Sequence, residues 1–344
     1  MDTMLTRRFM PLALLAVFAV TAGTVPAKIA DPNNPTGNTG LILIDKMGHH
    51  LRFFDPKTWT EISNIEVAMN PHDLALSPDH KTAYVTIYGT GIYGKNPNPN
   101  HQIAIIDLVS RTQTGTIDVS PYVAPHGIQV DAAGTLYVSC DASRKMLIID
   151  PKTRSIKAAV DTEGTGHWLA VLPDGSKAYV VNKNDRLFIT VIDLKARKVI
   201  TKIPAPNGTE GIAASPDGKR VLAMDYANPE LLVIDPATDK VIDKVTLQGN
   251  TRAGSRVRFS PDGSFVVTDS EQQIVNILNA ADLHGKQMVV NVGKSPMGFG
   301  FAPDNRTAIV GNHGDGSVSV IDMKEGREIT RFHAGTGIET MTWY

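Results

Sequence analysis

The sequence predicts an all-β chain: a seven-bladed β-propeller of four-stranded antiparallel blades, with one blade shared between the N- and C-termini. Three observations carry that expectation. A unit of about 42 residues recurs along the chain. Within each unit the apolar residues alternate with a period near 2 and are rich in β-branched types, which excludes a helical reading. The two ends of the chain supply complementary parts of a single unit.

The first residues are expected to lie outside the fold. Arg7 and Arg8 precede an apolar run from Phe9 to Val20, and Val25-Pro26-Ala27 offers a small-residue cleavage site. Residues 1–27 therefore read as a signal peptide and 28–344 as one domain. Thr6-Arg7-Arg8-Phe9-Met10 partly resembles a twin-arginine signal, so both the general and the folded-cargo export routes stay open. No later stretch approaches the ~18 apolar residues of a membrane span. The expected location is periplasmic or secreted.

The recurring unit opens with a short apolar strand entered through a polar residue. "NPHDLALSPD" starts at Asn70, "PHGIQVDAAG" at Pro125, "GHWLAVLPDG" at Gly166 and "TEGIAASPDG" at Thr209. "GSRVRFSPDG" starts at Gly254, "PMGFGFAPDN" at Pro296, and "IETMTWY" at Ile338 ends the chain. Pro and Gly in the Ser-Pro-Asp-Gly stretches suit a type I turn. A second strand follows, as in Ala83-Tyr84-Val85-Thr86 and Ala178-Tyr179-Val180-Val181, and a third ends in an Ile-Asp step such as Ile192-Asp193. A polar fourth strand, such as Lys198–Ile203, completes the blade. Seven openings mean seven blades. The seventh pairs the C-terminal strand with Leu41–Asp45 and Leu51–Asp55 and so closes the circle, protecting the sheet edges.

The Tyr-Val-Thr-like second strands, the Ile-Asp steps and the Ser-Pro-Asp-Gly turns resemble the YVTN family of seven-bladed propellers, which includes YncE-like exported bacterial proteins. The resemblance covers nearly all of residues 28–344 and implies the fold. It is weak for function, because its relatives include binding proteins, dehydrogenase subunits, lactonases and metal or haem propellers.

Function must therefore be read from the residues. The equivalent opening positions carry His72, His126, His167, Glu210, Ser255, Met297 and Glu339. Ten histidines in 344 residues would place roughly 0.2 at seven positions by chance. Inner strands converge on the propeller axis, so His72, His126, His167 and Glu210 on consecutive blades are candidate metal ligands. Imidazole and carboxylate suit copper or zinc, with iron and nickel behind them. Asp73 is the candidate orienter of His72. Two readings stand: a metal-dependent oxidoreductase, hydrolase or lyase, or a metal-free propeller that binds a small ligand or a protein.

Other polar groups are expected near the mouth. His49, His50 and His313 fall in loops on the same face and, with Arg256 and Glu339, are the candidate catalytic residues. Across the ring, Arg256, Arg258 and Glu339 offer groups to a small-molecule substrate, although Arg256 also suits an ion pair between blades. The insertion "YGTGIYGKNPNPNH", ending at His101, reads as a lid or a solvated loop. Trp168 and Met297 read as packing.

The remaining composition excludes several classes. With 34 Lys+Arg against 35 Asp+Glu, the net charge of −1 makes no case for nucleic acid. Cys140 is the lone cysteine, so an intrachain disulfide and a CxxC site are excluded. No GxSxG, HExxH, phosphate-binding glycine loop or CxxCH occurs, and the last absence excludes covalently attached c-type haem.

Overall fold

Seven four-stranded antiparallel sheets form the chain in the computed structural model, which describes Met1 and residues 40–93, 95–183, 185–270 and 272–344. The expected leader lies outside the described residues, Met1 apart. Among the described residues no helix is long and apolar enough to cross a membrane. Six blades each use consecutive strands, and their inner strands open at Pro71, Pro125, Leu169, Thr209, Val257 and Pro296. The seventh is composite, as expected: Ile338–Trp343 is its inner strand and pairs with Leu41–Asp45, which leads to His50–Phe54 and Glu61–Glu66.

The burial pattern follows the position of each strand in its blade. The inner strand Pro71–Leu76 is buried throughout, whereas the outer strand Lys198–Pro204 is mostly exposed. Apolar side chains from neighbouring sheets meet in layers. Leu74, Val85 and Ile106 of the first blade pack with Ile42, Leu51 and Phe53 of the seventh. Burial of such aliphatic side chains, each worth ~1.5–3 kcal/mol, supplies the inter-blade cohesion.

The Ser-Pro-Asp-Gly segments form tight turns for a chemical reason. Ser215 Oγ donates to Asp217 Oδ1 at 2.6 Å while accepting from Arg220 N at 3.0 Å. Gly218 then adopts φ 69°, a conformation that costs glycine little. The same pattern at Ser260, Asp262 and Gly263 shows why the motif recurs: it reverses the chain between the inner and second strands.

Candidate functional site

The ring residues sit on backbone irregularities that a period-2 reading does not reveal. Register between inner and second strands shifts from Pro71 to Leu74, Pro125 to Ile128, Thr209 to Ile212 and Pro296 to Gly298. Such bulges re-aim the side chains beside them, here toward the axis. In the third and fifth blades, ladder pairing begins only at Leu169 and Val257, leaving His167 and Ser255 just ahead of the strand.

Hydroxyls on the second strands tie the bulges together around the ring. Thr86 Oγ1 accepts from Asp73 N at 3.0 Å and donates to the His126 carbonyl at 2.7 Å. One blade on, Ser139 Oγ accepts from Gly127 N at 2.9 Å and donates to the His167 carbonyl. The His126 and His167 backbones are thus each held by the preceding blade.

The three imidazoles form a tilted stack. His72 and His126 have centroids 3.8 Å apart at 43°, and His126 and His167 are 3.8 Å apart at 34°. A glutamate brackets each end. Glu339 Oε2 lies 3.7 Å from His72 Nδ1, and Glu210 Oε1 lies 3.3 Å from His167 Nε2. Each carboxylate has a cation: Lys46 Nζ is 2.9 Å from Glu339, and Lys183 Nζ is 3.2 Å from Glu210. Arg256 lies 3.7 Å from Glu210 and stacks over Trp168, its guanidinium carbon 4.0 Å from the ring centroid. Trp168 packs edge-on against His126, with centroids 4.6 Å apart.

Burial sets the charge state of this group. It holds His72 and His126 well below the ordinary imidazole range and brings His167 down to about 4, so all three are neutral at pH 7. Burial alone would raise Glu210, but His167, Lys183 and Arg256 outweigh it and bring it down to about 2. Glu339 likewise falls to about 2 against its burial, through Lys46, His72, Arg256 and His313. Asp141, which accepts the Tyr88 hydroxyl at 2.8 Å, is raised by burial to about 6.

Several buried polar atoms here have no hydrogen-bond partner. They include Nδ1 of His72, His126, His167 and His313, Nε1 of Trp168, and Oε2 of Glu339. Buried polar groups are ordinarily paired. Their concentration here, most of them atoms able to hold a metal ion, makes this mouth the candidate site.

The structure brings His72, His126, His167, Glu210, Glu339, Arg256 and His313 to this mouth. His313 Nδ1 stands 3.7 Å from Glu339. It does not bring His49 or His50, neither of which bonds to or stacks on a ring residue. His49 Nδ1 accepts from Asn70 N at 3.3 Å, and the His50 backbone pairs with Asp45 and Glu66. Asp73 does not orient His72 either. It accepts from Leu74 N, Ile128 N and Thr340 Oγ1, each at 3.0 Å, and so joins three blades. Nor do Arg256, Arg258 and Glu339 form one group: Glu339 faces Lys46 and His72, Arg256 covers Trp168, and Arg258 lines the channel beyond. Cys140 is fully buried in an inter-blade core, and burial pushes its thiol up, away from thiolate ligand chemistry. Trp168 does more than pack, since it is the floor of the mouth.

The long insertion forms an extended hairpin, Thr82–Ile92 with Lys95–Asp107, that reaches across to the third blade. Tyr93 near its tip bonds to Thr165 Oγ1 and to the Asn182 carbonyl, and its ring lies edge-on to His167, with centroids 4.7 Å apart. These contacts lay the hairpin tip against the ring. Tyr93→Phe is expected to cost only about 1 kcal/mol of global stability but to speed limited proteolysis within residues 89–98. An unchanged cleavage rate would show that the hydroxyl does not hold the hairpin.

Comparison with known proteins now bears on this site. The cytochrome D1 heme domain family matches residues 129–343. The chain belongs to that family. Its members are seven-bladed propellers, and the narrower YVTN likeness remains a likeness. The hydrazine synthase of Kuenenia stuttgartiensis is similar in structure, with a TM-score of 0.65 and 20% identity, over 78% of this chain and 88% of that one. At that identity the likeness concerns the fold. No curated protein matches the chain in sequence. The family's name points to a transition-metal cofactor, haem, and lends no particular support to copper or zinc.

Proposed function

We propose that this chain is an exported, metal-dependent propeller that binds a transition metal at the imidazole stack and acts on a small molecule held beneath the Tyr93 hairpin. The observation that carries the reading is the set of orphaned donors: three neutral imidazoles on consecutive blades, bracketed by two ionised carboxylates. Neutral imidazole nitrogens are what zinc, copper and iron take. When bound, the metal would supply Lewis-acid or one-electron chemistry. Membership of a haem-domain family supports the redox branch of that choice.

An orphaned imidazole Nδ1 of His72, His126 or His167 would also serve to hold haem iron. Rings spaced 3.8 Å apart are already in contact, so a macrocycle has no room between them. The fit is to the donor atoms and not to space within the stack. Around them the protein's own work is electrostatic. Lys46, Lys183 and Arg256 hold the glutamates ionised, and Tyr93 and Trp168 limit water from the two sides.

A second reading, a metal-free propeller that binds a ligand or a partner protein, is favoured by one observation. Among the described residues no three His, Cys, Asp or Glu side chains stand ready to hold an ion as they are placed. Metal analysis and absorbance spectra of the full-length protein, purified from its native compartment beside a His72→Ala/His126→Ala variant, decide between them. About one metal per chain in wild type and none in the variant is the expected result, with a haem band if the iron is carried in a macrocycle. Equal traces in both would leave the binding reading alone.

A further inference from the structure

Beyond the floor formed by Trp168 and Arg256, the channel opens into a second cavity of about 140 Å³, toward the strand-end face. Its walls include Ile128, Val130, Ile212 and Phe299, and it reaches the turn residues Pro173 and Pro216. None of the imidazoles lines it. A cavity of roughly 150 Å³ lined by apolar side chains holds a benzene-sized molecule.

The polar groups in this cavity are unequally satisfied. Asp73 receives Leu74 N, Ile128 N and Thr340 Oγ1. Asp131 receives Ala133 N, Thr135 N and the Tyr137 hydroxyl. Gln129 donates to the Leu169 carbonyl and accepts from Val171 N. Arg256 is engaged by the Ser255 carbonyl, Glu210 and Trp168. Arg258 is different. It projects from the inner strand Val257–Phe259 into the same cavity, half-buried, with no hydrogen bond or ion pair among the described residues. A guanidinium carries five donors in a planar fork that matches a carboxylate.

We propose that the strand-end half of the channel is a second binding site, which takes a small organic carboxylate of about six to eight carbon atoms, its charge on Arg258 and its apolar body against Phe299 and the aliphatic walls. A bare inorganic anion satisfies the guanidinium but leaves the apolar walls facing water. A neutral hydrocarbon covers the walls but leaves the guanidinium N–H donors without an acceptor. Only a molecule with both parts answers the whole cavity. Asp73 feels the Arg258 charge through space, but its oxygens are taken by neutral donors and none bonds to the guanidinium, which keeps its N–H fork for a ligand.

Calorimetric titration of the full-length protein with sodium benzoate tests this, with benzamide and inorganic phosphate as the two half-matched probes. Saturable benzoate binding is expected, at least tenfold tighter than either probe. Arg258→Gln should weaken it about 10- to 100-fold, the range for a charge-assisted pair, while Arg258→Lys retains part of the affinity. The His72→Ala/His126→Ala variant should bind benzoate as wild type does, which separates this site from the mouth. Absence of saturable binding, equal affinity for benzamide, or an Arg258→Gln affinity within twofold of wild type overturns the proposal. If Arg258→Gln fails to fold, the benzoate–benzamide comparison on wild type decides alone.

Discussion

Metal-free protein should lose about 3 kcal/mol of stability between pH 7 and pH 5, far above the range in which most carboxylates titrate. The cause is the buried imidazole stack. In the unfolded chain His72, His126 and His167 take up protons near pH 6.5; in the fold burial keeps them neutral, His167 until about pH 4 and the other two well below the ordinary imidazole range. A depressed folded pKa contributes stability that is complete above the unfolded value and is lost as pH falls toward the folded one. Three such groups alone would remove about 6 kcal/mol by pH 5, at about 1.4 kcal/mol per group per unit.

Two buried aspartates work the other way. Burial raises Asp141 and Asp269 to about 6, so below that pH the fold binds protons that the unfolded chain does not. They return nearly half of the loss by pH 5, which leaves the net of about 3 kcal/mol. The profile should therefore be steepest just below pH 6.5 and flatten below 6. Urea denaturation of chelator-treated protein at half-unit intervals measures it. His126→Gln should reduce the slope by about 1.4 kcal/mol per unit, and Asp141→Asn should steepen the limb below pH 6. A flat profile from pH 7 to 5 would mean that the imidazoles are solvated and the stack is open.

The parts of this site that were legible from sequence are those that obey the repeat. A residue at the start of each inner strand must approach the axis, so His72, His126, His167, Glu210 and Glu339 could be picked out by counting alone. What escaped was set by backbone irregularity and by reach between blades. Lys46 and Lys183 occupy the same place in the unit, five residues on from the equivalent second-strand residues Leu41 and Ala178, and each neutralises a ring glutamate, so that position also carried a readable signal. Tyr93 belongs to an insertion with no counterpart in the other units. Asp73 follows a ring residue, which suggested a partner for His72, but the bulge turns its carboxylate onto backbone amides of the next blade. Thr86 and Ser139 carried a signal that could have been used: both are hydroxyls at the same place in successive Tyr-Val-x strands. Arg258 is a cation in the inner strand "VRF" at a position that holds Ala75, Gln129, Ala170, Ala213, Gly300 and Thr342 in the other blades, and that charge among small or neutral residues was readable in the sequence.

One buried carboxylate reinforces the strand pairing that closes the ring, and its removal should be the most damaging of the polar substitutions. Asp45 ends the first described strand and is fully buried. Its Oδ1 accepts from Gly48 N at 3.1 Å and from Thr336 N, Thr336 Oγ1 and Gly337 N at 3.0 Å, while Oδ2 accepts Arg52 Nε at 2.9 Å. Thr336 and Gly337 immediately precede the C-terminal strand, so one side chain fastens the last strand of the chain to the first. Burial works against its charge, but the Thr336 amide, Arg52 and the Gly337 amide bring its pKa below the ordinary value. Its contribution is therefore complete above about pH 4 and fades as the medium becomes more acidic. Asp45→Ala strands three amides and a guanidinium near the composite blade, and a loss of about 3–5 kcal/mol is expected. Asp45→Asn keeps an acceptor and should lose about half as much. With a urea m-value of about 3 kcal/mol/M, Asp45→Ala should move the midpoint down by at least 1 M. The clasp is worth more than its own bonds if closure is cooperative: an opened seventh blade exposes the ladder edge of Leu41–Asp45, so m should fall as well as the midpoint. A midpoint shift below about 0.3 M would show that the aliphatic pairing of Ile338–Trp343 with Leu41–Asp45 closes the circle without help from the carboxylate.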